Sequence, residues 1–496
     1  MKQWIPILLR KGCCPLFYSF IIQGYKDAYY QEILGVPKGI NNHQYIDGWV
    51  VIEGTESGES GAVFTEYLKR GDYVDFFILQ CKSVSEELFL LGGKLFAKDF
   101  GSATNGQLMA TFMEFSSKTL KTVPFLTTLA ILQGDVEKQL SEVLAESLNL
   151  PVSSDELKAI MQDIMIKSDK IPLVTQSIRD LNDIIDFIQQ NHSQLFNELK
   201  DNPDKVTKDL LNCVSREVMA DVQKYLDNYD FLATDYYVGI PTTFEQLIKQ
   251  ISIFIRQRSN TQQNTQIHVP KYDATKFCEA TKSLITKTQE MHFIRQYRIE
   301  AMFKSGRQAR NLLAEIGQRI GLSYHEIIHL TYEEIFDSLS QGKLTTEYQI
   351  ISERIKGYGI VMIDRKVEYL TGAKLEEAKK AMQGEYTSSK KLTGDTAYPG
   401  SYTGRAYVVD DLSIVDGIQQ GDILVAPMTS PYHVPAMTIA GAVLTNEGGI
   451  LSHAAIISRE LKIPCIVGVD NATFVIKTGD ILRVNAGPSV GTVNIE

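Results

Sequence analysis

Two short stretches place histidine where it could do chemistry. The first, YHEIIH at 324–329, has the spacing that sets His325 and His329 one helical turn apart with Glu326 between them, the ligand pair and general base of zinc-dependent peptide hydrolysis. Glu347 or Glu353 lies at a plausible distance for a third ligand. The same residues also have a structural reading. Ser323 and Glu326 stand three apart, as in a capping box, where each side chain satisfies the other residue's backbone amide. That role occupies the glutamate and leaves His325 in a first turn, where helix ends fray.

The second stretch is GAVLTNEGGILSHAAIISRELKIPCIVGV at 441–469. An apolar strand ends at Thr445, Gly448 and Gly449 follow, and Ser452-His453 opens a helix whose apolar face is Ala454, Ile457 and Leu461. His453 thus stands at a helix N-terminus, where free amides and the helix dipole disfavour a protonated imidazole and favour an anion. A phosphorylated histidine suits such a place. The two glycines let backbone approach a phosphoryl oxygen, and Ser452 and Thr445 bring hydroxyl donors. An ordinary strand, turn and helix with an exposed histidine fits the same pattern.

Phosphoryl transfer needs positive charge around the equatorial oxygens. MHFIRQYRIEAMFKSGRQAR at 291–310 supplies it, with Arg295 and Arg298 sharing a face of one long helix and Arg307 further along. A solvated basic face, or salt bridges to neighbouring helices, is the plainer reading of that run. A hydroxyl acceptor would need a general base, for which His43, Asp47 and His292 are candidates by residue type.

These residues need elements to hold them. The chain has 496 residues, enough for several domains, with 44% apolar and 22% charged residues. Residues 1–104 mix strand-like runs, GWVVIEG and YVDFFILQC, with glycine-rich turns, a small α+β part. From 105 to 385 apolar residues recur at three- and four-residue spacing, which predicts a helical domain, with RSNTQQNTQ at 258–266 as an exposed loop. MQGEYTSSKKLTGDTAYPGSYTG at 382–404 is poor in aliphatics, and an interdomain linker is expected at 383–395. Short β runs follow to the end, interrupted by the helix SHAAIISREL. The expected domains are 1–385 and 386–496.

The formal charge of −10 and pI near 5.5 give no support to nucleic-acid binding. The apolar runs near the N-terminus are split by Arg10 and Lys11 and reach neither signal-peptide nor membrane-span length, so a cytoplasmic protein without a membrane partner is expected. Six scattered cysteines without a CxxC pair read as reduced thiols.

Residues 397–496 resemble the phosphohistidine swivelling domain of phosphoenolpyruvate synthases, pyruvate phosphate dikinases and rifampin phosphotransferases. The likeness runs through YPGSYTGRAYVV, GDILVAPMTSPYHVPAM, TNEGGILSHAAIISRELKIPCIVG and GDILRVNAG. It implies a swivelling β/β/α domain with His453 as phosphate carrier. It also implies that Thr445, Glu447, Gly448, Gly449, Ser452 and Arg459 form the phosphate neighbourhood. Leu451 stands where synthases and dikinases usually have threonine, which looks more like the rifampin phosphotransferase branch. GRQARNLLAEIGQRIGLSYHEIIHLTYEEI at 306–335 resembles the acceptor-binding domain of that branch, and by the resemblance Arg295 and Arg298 match its basic pair.

The fold class implied is a multidomain α+β chain: a large, mainly helical N-terminal domain with a small α+β part, then the swivelling domain. Neither the basic glycine-containing loop of an ATP-grasp domain nor a Walker A sequence is found, and no phosphoenolpyruvate-binding barrel is expected after the swivelling domain. The resemblance therefore implies a split phosphotransferase. ATP and magnesium would bind a separate ATP-grasp partner, this chain would hold no cofactor or metal, and a small molecule would be the acceptor, with a homo-oligomer also open. A non-catalytic scaffold that keeps the fold is the alternative, with the zinc peptidase a remote one.

Overall fold

A computed structural model describes residues 4–9, 14–25, 27–35, 43–46, 49–53, 66, 72–152, 154–260, 272–382, 391–409, 417–429, 433–449, 452–487 and 490–496. The chain forms two compact units. One comprises Met1–Glu146, Asp235–Val238 and Phe277–Glu385, and the other Ser147–Thr234, Gly239–Lys276 and Tyr386–Glu496. This grouping differs from a single division at 385/386, because the segments 147–234 and 239–276 go with the C-terminal strands.

The first unit holds an antiparallel five-stranded sheet built from β1 (Trp4–Leu9), β2 (His43–Ile46), β3 (Trp49–Glu53), β4 (Gly359–Ile363) and β5 (Lys366–Leu370), in the order β1-β3-β2-β4-β5. The hairpin β4–β5 lies in a region expected to be wholly helical. Its two-residue turn is Asp364-Arg365, with φ of 49° and 64°, the left-handed pair a type I′ turn requires. No glycine marks it, so the turn is silent in the sequence.

YVDFFILQC is helical rather than strand-like. It opens the helix Tyr73–Phe96, whose buried residues Tyr73, Phe77, Cys81, Val84, Leu88, Leu91 and Leu95 follow three- and four-residue spacing over 24 residues. Its aromatic and β-branched start favours a strand locally, but a long apolar stripe packed on a partner outweighs local propensity. That partner is the 30-residue helix Glu279–Gln308. A Cβ at Gly92 would stand 3.0 Å from Ser305 Cα, so the glycine lets the two helices close.

The second unit contains a closed barrel of seven strands: β6 (Lys391–Tyr398), β7 (Gly400–Val408), β8 (Ile423–Ala426), β9 (Ala442–Thr445), β10 (Cys465–Val467), β11 (Ile481–Ala486) and β12 (Val490–Ile495). Their order is β8-β9-β10-β6-β12-β11-β7, and β7 pairs again with β8. The expected β/β/α arrangement thus appears as one closed sheet with helices on its surface. β8 and β9 are buried along their length, as suits parallel strands covered on both faces, whereas β11 alternates exposed and buried residues. Of the expected linker, 391–395 are strand: Leu392 pairs with Val493 and Asp395 with Val490. The polar composition of that segment hid the strand. Residues 383–390 lie outside the described residues.

Helices Leu173–Asn191, Arg216–Tyr229 and Phe244–Asn260 share one apolar core with β8, β9, β10 and the helix His453–Leu461. Ile178, Leu181, Val222 and Ile251 belong to the same cluster as Ala454, Ala455 and Ile457. Arg179 adds an ion pair to Glu460 at 3.3 Å. Among the described residues no helix is long and apolar enough to cross a membrane.

Candidate functional site

β8 and β9 run parallel in register, with Val425 opposite Leu444 and Ala426 opposite Thr445, so the chain leaves both strands at the same level. The exits of adjacent parallel strands are where an α/β sheet presents ligands. Backbone bonds Asn446 N to Ala426 O (3.1 Å) and Glu447 N to Pro427 O (3.0 Å) tie the two exits together. Thr445 Oγ1 donates to Glu447 O at 2.8 Å, and the Asn446 side chain donates to Thr473 Oγ1 at 2.8 Å. Gly448 takes φ 106°, and a Cβ there would meet Ser452 Cβ at 2.8 Å. The turn can therefore close only around glycine.

Ser452 caps the helix His453–Leu461, its hydroxyl accepting from Ala455 N at 3.4 Å. His453 is the next residue. Its Nδ1 is 2.9 Å from Thr429 Oγ1, which lies just past the exit of β8. Its Nε2 is enclosed and has no hydrogen-bond partner among the described residues. The residue as a whole is half-buried. Burial pushes the imidazole down to about 3, and the neighbouring His433 ring lowers it further. The ring is neutral at physiological pH. In the tautomer with its proton on Nδ1 the ring would donate to Thr429 and keep the Nε2 lone pair; in the other it would accept from Thr429.

The remaining residues of the expected phosphate neighbourhood divide. Gly448 and Ser452 shape the turn and cap beside His453. Nothing lies within 4 Å of a Cβ at Gly449, so space alone does not require that glycine. The Thr445 hydroxyl is spent inside the turn, and Glu447 contributes its backbone N–H and C=O to two of the bonds that hold the loop. Arg459 lies at the other end of the helix. Its Nε donates to Ala397 O at 3.2 Å, tying the helix to β6, and burial lowers its guanidinium to about 10. Residues 450 and 451, and with them Leu451, lie outside the described residues.

Thr429 and His433 were not singled out by sequence reasoning. Both sit in MTSPYHVPAM, some twenty residues before His453. Only the parallel pairing of β8 with β9 brings that segment beside the histidine; the rule that sites gather at neighbouring strand exits is the signal that could have found it.

Arg295, Arg298, His292 and Arg307 all lie on the helix Glu279–Gln308 of the other unit. His292 Nε2 is 3.0 Å from Glu137 Oε1 and 2.9 Å from Gln133 Nε2, and Arg295 Nη1 donates to Gln133 Oε1 at 3.2 Å. Burial alone would raise the Glu137 carboxyl, but hydrogen bonds from His292 and Gln133 and the Arg295 charge hold it below the ordinary carboxylate value. Burial lowers the Arg295 guanidinium, and Glu137 opposes that. Arg298 is not on a solvated face: it is 4% exposed, its Nη1 is 3.5 Å from Met302 Sδ, and its charge is felt by the buried Tyr25 and Cys81. Arg307 rests over the Phe96 ring at 5.2 Å. The structure thus gathers His292, Arg295, Glu137 and Gln133, and places Arg298 and Arg307 among other neighbours. His43 lies on β2, whose side chains are outside the description, and Asp47 is outside the described residues.

The HExxH stretch is a capping box. Ser323 N donates to Glu326 Oε2 at 2.7 Å, and Glu326 N to Ser323 Oγ at 3.3 Å. Tyr348 also donates to Glu326, and these bonds hold its carboxyl at about 2. The helix is only Tyr324–Ile327, and His329 Nδ1 is engaged with His325 O at 2.7 Å. Among the described residues no group of three or more His, Cys, Asp or Glu could hold a metal ion.

Residues 418–487 match the mobile domain of PEP-utilising enzymes. The chain is 36% identical over 178 residues, 34% of its length, to a probable phosphoenolpyruvate synthase of Pyrococcus abyssi, covering 21% of that protein. It is 48% identical over 94 residues, 19% of its length, to one of Methanothermobacter thermautotrophicus, covering 14% of it. It is 32% identical over 170 residues, 32% of its length, to a rifampicin phosphotransferase of Bacillus subtilis, covering 18% of it. The chain spans about a fifth or less of these relatives.

Proposed function

Starting from a C-terminal unit that carries the mobile domain of PEP-utilising enzymes, we propose that this chain is the acceptor-binding and phosphohistidine-carrying component of a split, dikinase-like phosphotransferase. ATP, with magnesium, binds a separate ATP-grasp protein. His453 Nε2 attacks a donor phosphorus: a P–N bond forms, the donor P–O bond breaks, and the leaving oxygen stays with the nucleotide. In the second step an acceptor hydroxyl attacks the same phosphorus, the P–N bond breaks, and the electron pair returns to Nε2. The acceptor is a small molecule held by the first unit, where the Glu137–His292 pair is the candidate base and Arg295 the candidate phosphate contact. A cytoplasmic setting fits this reading.

The single observation that carries the proposal is the asymmetry of the His453 ring: Nδ1 is anchored at 2.9 Å by Thr429, while Nε2 has no partner among the described residues. A purely structural histidine buries both nitrogens with partners, because an unmade bond costs about 1–3 kcal/mol. The helix N-terminus supplies the amides and dipole that favour the phosphoryl anion. Because Nε2 is enclosed here, transfer takes place from another arrangement, in which Nε2 is accessible.

Mixing the chain with an ATP-grasp partner and ATP labelled at the β or γ phosphorus is expected to give base-stable, acid-labile label. If the His453→Ala chain takes up as much label as wild type, the proposal is wrong; if wild type takes up none, the scaffold reading stands.

A further inference from the structure

The carrier site contains a second imidazole that the mechanism above does not use. His433 is 0% exposed. It caps the short helix Val434–Ile439, which packs on both the carrier helix and the helix Phe244–Asn260. Four residues before it, Thr429 holds His453 Nδ1 at 2.9 Å, so one segment delivers the anchor and the second ring to the same histidine. The His433 charge acts directly on His453.

The charged groups described on the elements packed around these rings are engaged with other partners. On Phe244–Asn260, Lys249 pairs with Asp204 at 3.1 Å, Arg256 Nε donates to Lys200 O at 2.7 Å, and exposed Glu245 is held by Thr243. On the carrier helix, Arg459 bonds Ala397 O and Glu460 pairs with Arg179.

We propose that His433 is a positioning residue of the carrier site, neutral while His453 is free and protonated once His453 bears a phosphoryl group, which the resulting imidazolium then holds. This rests on His453 being the phosphate carrier. Two neighbouring imidazoles disfavour carrying protons together, and the His433 ring helps keep His453 neutral and nucleophilic before transfer. Transfer replaces one neutral ring by an anion, and the sign of the interaction inverts. An opposite charge on a neighbouring group favours the cation. Solvent supplies the proton on loading and receives it on unloading.

The full chain, labelled with ¹⁵N-histidine, is phosphorylated with phosphoramidate, a small donor: a P–N bond forms at Nε2, the P–NH₂ bond breaks, and ammonia leaves as ammonium. The His433 signals, assigned with the His433→Gln chain, are titrated with and without the phosphoryl group. We expect the midpoint to rise by about one pH unit or more on phosphorylation. We also expect the phosphohistidine lifetime to depend on pH between roughly 6 and 8 in wild type, and to lose that dependence in both His433→Gln and His433→Phe. An unchanged His433 midpoint overturns the inference without using any variant, and a pH dependence retained by His433→Gln also overturns it. Absence of any phosphohistidine at His453 overturns the carrier reading itself, and this inference with it.

Discussion

Replacing Thr429 by valine keeps the shape of the side chain and removes the one hydrogen bond to the His453 ring among the described residues. The bond is 2.9 Å long and part-buried. Such a bond contributes about 0.5–1.5 kcal/mol net, and stranding a buried polar atom costs about 1–3 kcal/mol. The loss falls on the Nδ1–H form, the form that leaves Nε2 nucleophilic. At about 1.4 kcal/mol per factor of ten, Thr429→Val should slow phosphoryl loading roughly tenfold, while Thr429→Ser, which keeps the hydroxyl, should restore most of the rate. Single-turnover label uptake at saturating donor measures this, and ¹⁵N spectra of His453 report the shift in tautomer. A thermal midpoint lower by a few degrees is expected alongside. If Thr429→Val loads at the wild-type rate with an unchanged His453 spectrum, the bond does not prepare the nucleophile and the reasoning fails.

The unloaded His453 ring should stay neutral well below the ordinary histidine range, since burial holds it at about 3; a ¹⁵N titration of the free chain with a His453 midpoint near 6.5 would contradict this. The unfolded chain protonates His453 first as pH falls, so its contribution to stability is complete above about 6.5 and is lost toward pH 3; wild type should lose more stability over that window than His453→Phe in denaturant titrations. Gly448→Ala, which forces a Cβ to 2.8 Å from Ser452 Cβ at φ 106°, should cost about 1–3 kcal/mol and most of the loading, whereas Gly449→Ala, with nothing within 4 Å, should be mild by both measures. Ser323→Ala should lower local stability by about 1 kcal/mol, seen as faster amide exchange at Glu326, and metal analysis of the wild type should find no stoichiometric zinc.

The part of the site carried by one continuous stretch was legible. The strand into Thr445, the glycine turn, the Ser452 cap and the helix from His453 each leave a local mark: an apolar run, paired glycines, a hydroxyl before a three- and four-residue spacing. The Ser323–Glu326 capping box was readable for the same reason. What depends on pairing between distant segments was not. Thr429 and His433 reach His453 only through the parallel β8–β9 register, and the hairpin at Asp364-Arg365 turns without glycine or asparagine. The joining of helices 173–260 to the barrel follows from which apolar stripes meet, and amphipathic periodicity says that a face is buried, not against what. The Tyr73 helix was misread because nine residues of aromatic and β-branched character outweighed the longer stripe they begin.

The central claim is that His453 carries a transferable phosphoryl group on Nε2. The most direct measurement is ³¹P–¹⁵N correlation spectroscopy of the chain loaded with labelled phosphoryl donor. The account predicts one phosphorus bonded to Nε2 of His453, stable in alkali and lost in acid. A phosphorus on Nδ1, or on any other residue with His453 unmodified, would contradict it.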